Sequence, residues 1–186
     1  MEKRTEIGEV GEFGLINHIA AKFTQKQEWT DLGIGDDAAV LDPKGNKVVT
    51  TTELFIEGVH FDLGYTPLQH LGFKVVSVVL SDIAAMNAIP AQITIGLGLS
   101  NRFSVESVDA LYEGIQLACE EYKVDLVGGD TTSSPQGLIL SMTATGVVED
   151  EKLVKRGTAK PNGPNWWRRP SKSMPLFTPP NSICRP

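Results

Sequence analysis

Two adjacent carboxylates, Asp36 and Asp37, lie in the stretch Gly33-Ile-Gly-Asp-Asp-Ala-Ala-Val-Leu41, between glycines and an apolar run. Like charges on neighbouring residues repel, and an apolar flank raises the cost of ionising them, so a positive partner is expected. A hard cation is the simplest one. Mg²⁺ takes oxygen ligands, usually one or two carboxylates, with phosphate oxygens and water completing its shell. The structural alternative is an Asp-rich turn between strands, since Gly-Asp pairs are common turn formers.

Three further stretches carry similar chemistry. In Thr50-Thr-Thr-Glu53, hydroxyls precede a carboxylate, with Glu57 and His60 following in the same segment. Such oxygens extend a Mg²⁺ site, although Thr is also a routine strand residue and a lone His often does no more than satisfy a hydrogen bond. Asp82 falls on the apolar stripe Leu71, Val75, Val78, Val79, Met86 at helical steps of three and four. A carboxylate there costs several kcal/mol unless it is paired, so it is either half of a buried salt bridge or a metal ligand reaching toward Asp37. Gly128-Gly-Asp-Thr-Thr132 repeats the Gly-Asp logic, with glycines admitting a phosphate close to the backbone and Asp130 available to a metal. The small basic stretch at 152–160 adds Arg156, a clamp for phosphate charge.

The elements that must position these residues follow from periodicity. Phe13, Leu15, Ile16, Ile19, Ala20 and Phe23 predict a packing helix over residues 11–23. Residues 38–41 and 47–55 predict two strands joined as a hairpin by Pro43-Lys-Gly-Asn46. A long helix is expected from about Pro67 to about Asn87, stopped by Pro90. Residues 91–99 predict a buried strand, and Ser104 an N-cap for a helix through Tyr122. A strand then runs into Gly128, and another covers residues 138–148.

Composition narrows the function classes. The 186 residues, 41% hydrophobic, suffice for one core and a tail. Of the 17 basic residues, four lie in residues 163–186, which hold no Asp or Glu; the remaining 13 face 23 acids, so the body is strongly acidic. That argues against nucleic-acid binding, whose affinity comes largely from basic surface, and suits a protein that recruits positive charge as metal ions. Cys119 reads as a small core residue, and with Cys184 it forms neither a disulfide framework nor a metal-ligand spacing. The N-terminus lacks an apolar signal region, and no membrane span is expected, which predicts a cytoplasmic protein. There is no Gly-x-x-x-x-Gly-Lys-Ser/Thr loop, Gly-x-Ser-x-Gly elbow or His-Glu-x-x-His motif. Phosphoryl transfer needs none of these, because metals that align donor and acceptor and neutralise charge suffice.

Gly11-Glu-Phe-Gly-Leu-Ile16, Gly33-Ile-Gly-Asp-Asp-Ala-Ala39, Thr51-Thr-Glu-Leu-Phe-Ile-Glu-Gly-Val-His-Phe61, Leu80-Ser-Asp-Ile-Ala-Ala-Met86 and Gly128-Gly-Asp-Thr-Thr132 stand in order along the chain. This series resembles thiamine-monophosphate kinase over residues 11–162, a family grouped with aminoimidazole ribonucleotide synthetase and selenophosphate synthetase. The resemblance implies direct transfer of the ATP γ-phosphoryl to thiamine monophosphate. It implies Mg²⁺ held by Asp37, Thr51, Thr52, Glu53, Asp82 and Asp130, ATP met by Tyr112, Gly129, Asp130 and Arg156, and thiamine phosphate met by His60. It also implies an α+β fold, a mainly antiparallel sheet with helices on one face, whose sheets pair between subunits in a homodimer barrel. Another synthetase of the group, or a non-catalytic dimerisation module, is the alternative.

Two departures qualify the resemblance. Glu53 stands where the family has Asp, which displaces one charge by about a methylene, and Mg²⁺ tolerates little distortion. Residues 163–186 replace the family's second domain with a segment holding six of eleven prolines and two of three tryptophans, Trp166 and Trp167. Such Pro density predicts an irregular tail. The expectation is an N-terminal ATP- and Mg-binding domain over residues 1–162, a tail over 163–186, and nucleotide binding without appreciable turnover.

Overall fold

A computed structural model of the chain describes residues 5, 7–32, 34, 40–41, 43 and 45–154. The chain divides into two units, Met1–Leu153 and Val154–Pro186, and every described residue except Val154 falls in the first. The expected boundary at 162 and the Pro-rich tail lie outside the described residues.

In chain order the elements are α1 (Ile7–Ala20), β1 (Thr30–Leu32), β2 (Val40–Leu41), β3 (Lys47–Ile56), α2 (Leu68–Ala85), β4 (Ile89–Leu99), α3 (Val105–Tyr122), β5 (Asp125–Ser133) and β6 (Ile139–Val148), followed by a short 3₁₀ turn (Asp150–Lys152). Strands β3, β6, β4 and β5 form one sheet in that order. The β3/β6 and β6/β4 pairs are antiparallel and the β4/β5 pair is parallel, so the fold is α+β with a mainly antiparallel sheet. A parallel step requires a crossover, which α3 supplies between β4 and β5.

The expected hairpin of β2 with β3 does not form. Strand β2 pairs instead with β1, and β3 pairs over its whole length with β6, from Lys47 opposite Val148 to Ile56 opposite Ile139. Ten cross-strand pairs with one buried face outweigh the local turn signal at residues 43–46.

Every second residue of β6 is buried, placing Leu140, Met142, Ala144 and Val148 on one face. Across the register, Phe55 of β3 and Ile93, Ile95 and Leu97 of β4 share it. Helix α2 covers this face, packing on β3, β6 and β4, and α3 packs on α2. By length and composition α2 could cross a membrane, with mean hydropathy 1.3 over its 18 residues. Here Leu71, Val75, Val76, Val79, Leu80 and Ile83 are spent on the core.

The ends of these helices obey their local chemistry. Pro67 sits at the N-cap of α2, outside its first turn. The helix stops before Pro90, as Asn87 turns into the left-handed region at φ 57°, and Pro90 itself lies within β4. Ser104 caps α3 by accepting the Ser107 N–H at 3.4 Å, as the sequence predicts. In α1, Gly11 interrupts the helix at φ 70°, ψ 174°.

Helices α2 and α3 touch through their backbones. A Cβ on Gly72 would lie 2.1 Å from the Leu111 carbonyl oxygen, and one on Gly114 would lie 1.8 Å from the Gln69 carbonyl oxygen. Neither contact can yield by a side-chain rotation. Gly114→Ala should therefore push the helices apart and cost about 3 kcal/mol. Chemical denaturation checks this, and a loss under about 1 kcal/mol would contradict the close approach.

Candidate nucleotide and metal site

Residues paired across adjacent strands share a face, and successive residues alternate. Thr51 opposes Ala144 and Glu53 opposes Met142, so both project toward the helix-covered face. Thr52 opposes Thr143, which opposes Thr94, and these lie on the open face. Asp130 opposes Gly96, which opposes Ser141, on that same open face. The expected oxygen ligands are thus distributed over both faces, and the side chains of Thr51 and Thr52 cannot turn to a common point.

On the helix side, Asp82 projects from α2 toward β3. The Thr51 hydroxyl donates to its Oδ2 at 3.0 Å. Among the described residues no cation pairs with Asp82, so the buried salt bridge is absent there. A half-buried carboxylate satisfied by a single hydroxyl retains acceptor capacity for a further partner. Glu53 is half-buried two residues from Thr51.

On the open side, the Thr52 and Thr143 hydroxyls share a short hydrogen bond. Asp130 is exposed, with no described residue bonded to its carboxylate, beside a hollow of about 260 Å³ lined in part by Gly96, Thr132, Ser134 and Ser141. Gly129 has a packing reason beyond ligand access, because a Cβ there would lie 2.0 Å from the Ile95 carbonyl oxygen.

His60 stands in the turn after β3. Its Nδ1 accepts the Ile56 N–H at 3.1 Å, and its ring meets Phe55 edge-on at 6.1 Å. The neutral ring therefore carries its proton on Nε2, leaving an exposed donor. Glu57 is structural: it accepts the Leu138 N–H at 2.9 Å and pairs with Arg102, tying the end of β3 to the start of β6.

Tyr112, expected to meet ATP, is only 4% exposed. Its ring packs edge-on against Phe23 at 6.3 Å, and burial holds the phenol proton well beyond its ordinary range. It serves the core here. Asp36, Asp37 and Arg156 lie outside the described residues. Sequence reasoning missed Asp125, a buried carboxylate beneath the segment that leads into β1. Its signal was a lone Asp between Val124 and Leu126 in an apolar run.

The donor set fits Mg²⁺ in kind, since it is entirely oxygen. Among the described residues no three Asp, Glu, His or Cys side chains converge on one point. One or two carboxylates per ion is what Mg²⁺ uses when phosphate supplies the remainder of its shell.

Residues 35–148 match the family described as AIR synthase related protein, N-terminal domain. The chain belongs to this family. Within it, the chain is 36% identical over 152 residues to thiamine-monophosphate kinase of Bacillus subtilis, covering 81% of the chain and 46% of that relative. The crystal structure of thiamine-monophosphate kinase from Stenotrophomonas maltophilia superposes with a TM-score of 0.67 at 39% identity, over 78% of the chain and 45% of that structure. A structure of AaThiL complexed with AMPPCP and TMP superposes with a TM-score of 0.59 at 34% identity, over 84% of the chain and 47% of its own. The chain thus spans about half the length of the relatives it matches.

Asp82→Asn keeps an oxygen for Thr51 while removing the charge. The nucleotide-free melting temperature should hold within about 3 °C, corresponding to roughly 1 kcal/mol, or rise. Mg²⁺-dependent nucleotide binding should weaken at least about tenfold. Thermal melts and calorimetry check both, and a large loss of stability with binding intact would make Asp82 a packing residue.

Proposed function

We propose that the chain is the Mg-nucleotide-binding part of a thiamine-monophosphate kinase, acting in the cytoplasm. The observation that carries this reading is the likeness, at 34% identity over 84% of the chain, to a protein whose structure holds AMPPCP and TMP. The placement of Asp82 and Asp130, carboxylates with unused acceptor capacity, supports it.

In this reading an oxygen of the thiamine monophosphate phosphate attacks the γ-phosphorus of ATP. A new P–O bond forms as the β–γ bridge breaks, and ADP departs with the bridging oxygen. Bound Mg²⁺ supplies charge neutralisation and alignment of the phosphate oxygens. Asp82, supported by Thr51, and Asp130 would hold the cations, with Glu53, Asp37 and Thr52 completing the set. Gly129 brings the β5 backbone close to the nucleotide, and Arg156 takes phosphate charge. His60 offers its Nε2 proton to the acceptor phosphate. No side chain acts as a nucleophile, so the residues' work is positioning and electrostatics.

The open face of the sheet is the surface for a second copy, giving a homodimer. Val48 of β3 and Ile89 of β4 lie half-exposed at one end of it, and Leu54 lies half-exposed farther along β3. Exposed apolar side chains set among the Thr and Ser residues of one sheet face favour cover by a partner.

Because the carboxylates repel phosphate until a cation intervenes, the chain should bind ATP at least about tenfold more tightly with Mg²⁺ than in EDTA. Calorimetry decides this, and equal affinities would defeat the metal-bridged reading. The 186-residue chain should form little thiamine diphosphate, since misplacing donor and acceptor by about 1 Å costs about 100-fold and the matched residues make up only 46% of the relative. Chromatography of the product checks it, and robust turnover would refute the restriction to binding.

A further inference from the structure

His60 owes its orientation to the way β3 leaves the sheet. Strand β3 is an edge strand, with Ile56 opposite Ile139, and the next residue, Glu57, donates its N–H to the Leu138 carbonyl at 3.0 Å. Bonded and non-bonded pairs alternate in an antiparallel ladder, so the main-chain groups of Ile56 point away from β6, off the edge of the sheet. There they meet the turn. The Ile56 carbonyl accepts the N–H groups of Val59 at 3.1 Å and His60 at 2.9 Å, and the Ile56 N–H donates to His60 Nδ1 at 3.1 Å. Gly58, at φ 80°, makes the reversal, and its N–H donates to the carbonyl of buried Phe61 at 2.8 Å.

The rung beside this turn is half main chain and half side chain. An ordinary antiparallel pair would send the Leu138 N–H to the Glu57 carbonyl. Here it goes to Glu57 Oε2 at 2.9 Å, and Arg102 pairs with the same oxygen. Leu138 is fully buried, so its N–H must have an acceptor. Without the carboxylate, the ladder offers the Glu57 carbonyl in its place. Taking it would carry β3 straight on by one rung and draw the turn away from Ile56. The place of the carboxylate is kept open by Gly137, where a Cβ would lie 2.6 Å from Glu57 Oε2 and where the φ of 68° suits glycine.

We propose that Glu57 is a positioning residue for His60. By taking the Leu138 N–H it holds the turn against the edge of β3 and keeps Nδ1 on the Ile56 N–H. The ring proton is thereby held on Nε2, where it can be donated to an anionic oxygen of the acceptor phosphate. This rests on the reading above that His60 meets that phosphate.

The test uses the whole 186-residue chain. Nitrogen NMR spectra of the histidine rings, recorded without ligand at mildly alkaline pH, report which ring nitrogen bears the proton, and His60→Ala assigns the signals. The unaltered chain should hold His60 in the Nε2–H form. Glu57→Ala should lose that preference, whereas Glu57→Gln, which keeps an oxygen for the Leu138 N–H, should retain it. Asp109→Asn controls for general loosening, because it removes the partner of His18 and Lys22 that ties α1 to α3; it should lower the melting temperature without changing the tautomer. Thiamine monophosphate is then titrated by calorimetry. Glu57→Ala should weaken its binding about tenfold, the scale of one hydrogen bond to a charged group. Glu57→Gln should weaken it by no more than about threefold, since it loses only an exposed ion pair. In a His60→Ala background Glu57→Ala should add nothing, the sign that it acts through the ring. If Glu57→Ala does not fold, Gly137→Ala, which displaces the carboxylate, takes its place. An unchanged tautomer in the folded variants, or full additivity with His60→Ala, overturns the proposal. Binding of thiamine monophosphate that is absent, or that His60→Ala leaves unweakened, overturns the reading of His60 as the phosphate contact first, and this inference with it.

Discussion

Backbone contact between α2 and α3 is the constraint on which the arrangement depends. With glycine at 72 and 114, the helices approach closely enough for carbonyl oxygens of one to occupy the space a Cβ of the other would need. That leaves α2 a single way to lie between α3 and the sheet. Asp82 is ten residues beyond Gly72, roughly 15 Å along the helix axis, and a shift of α2 would carry its carboxylate away from the Thr51 hydroxyl. The second seat is at the other end of α2, where Gly146 of β6 leaves room for Ile83 and for the backbone at Ile89. Two close approaches, one at each end, hold an acidic residue at the edge of an apolar layer.

The same economy governs the charges. Glu57, through Oε2, and Asp125, through both oxygens, each accept more than one donor and serve the fold, one at the end of β3 and the other at the start of β5. Asp82 and Asp130 are carboxylates with spare acceptor capacity among the described residues. The distinction separates structural acids from those with capacity for a cation, and it follows from hydrogen-bond accounting. The unused acids sit on opposite sides of a sheet, an arrangement better matched to a polyphosphate bridged by several ions than to one enclosed metal.

Much of this was legible in the sequence because it is local. The helical spacing of Leu71, Val75, Val79 and Asp82 located Asp82 on a buried stripe, and Ser104 announced the start of α3. The pairing of β3 was not legible, because Pro43-Lys-Gly-Asn46 is a sound turn signal whereas its partner lies about 90 residues away and leaves no local mark. The burial of Tyr112 was legible only by extending the α3 stripe: it lies four residues after Val108 and three before Ile115, and its contact with Phe23 comes from a distant segment. Thr51 and Thr52 look equivalent as neighbours, yet strand alternation sends them to opposite faces, which a ligand list taken from motifs does not convey.

That several cations bound to one nucleotide contact carboxylates on both sides of this sheet is tested most directly by substituting Mn²⁺ for Mg²⁺ and recording backbone amide spectra of the ATP-bound chain. Paramagnetic broadening should fall on residues 51–53, on Asp82 and its neighbours, and on residues 128–131, while the far end of α3 near Glu120 and Glu121 stays sharp. Broadening confined to surface acids such as Glu120 and Glu121, or spread evenly over the chain, would contradict the account.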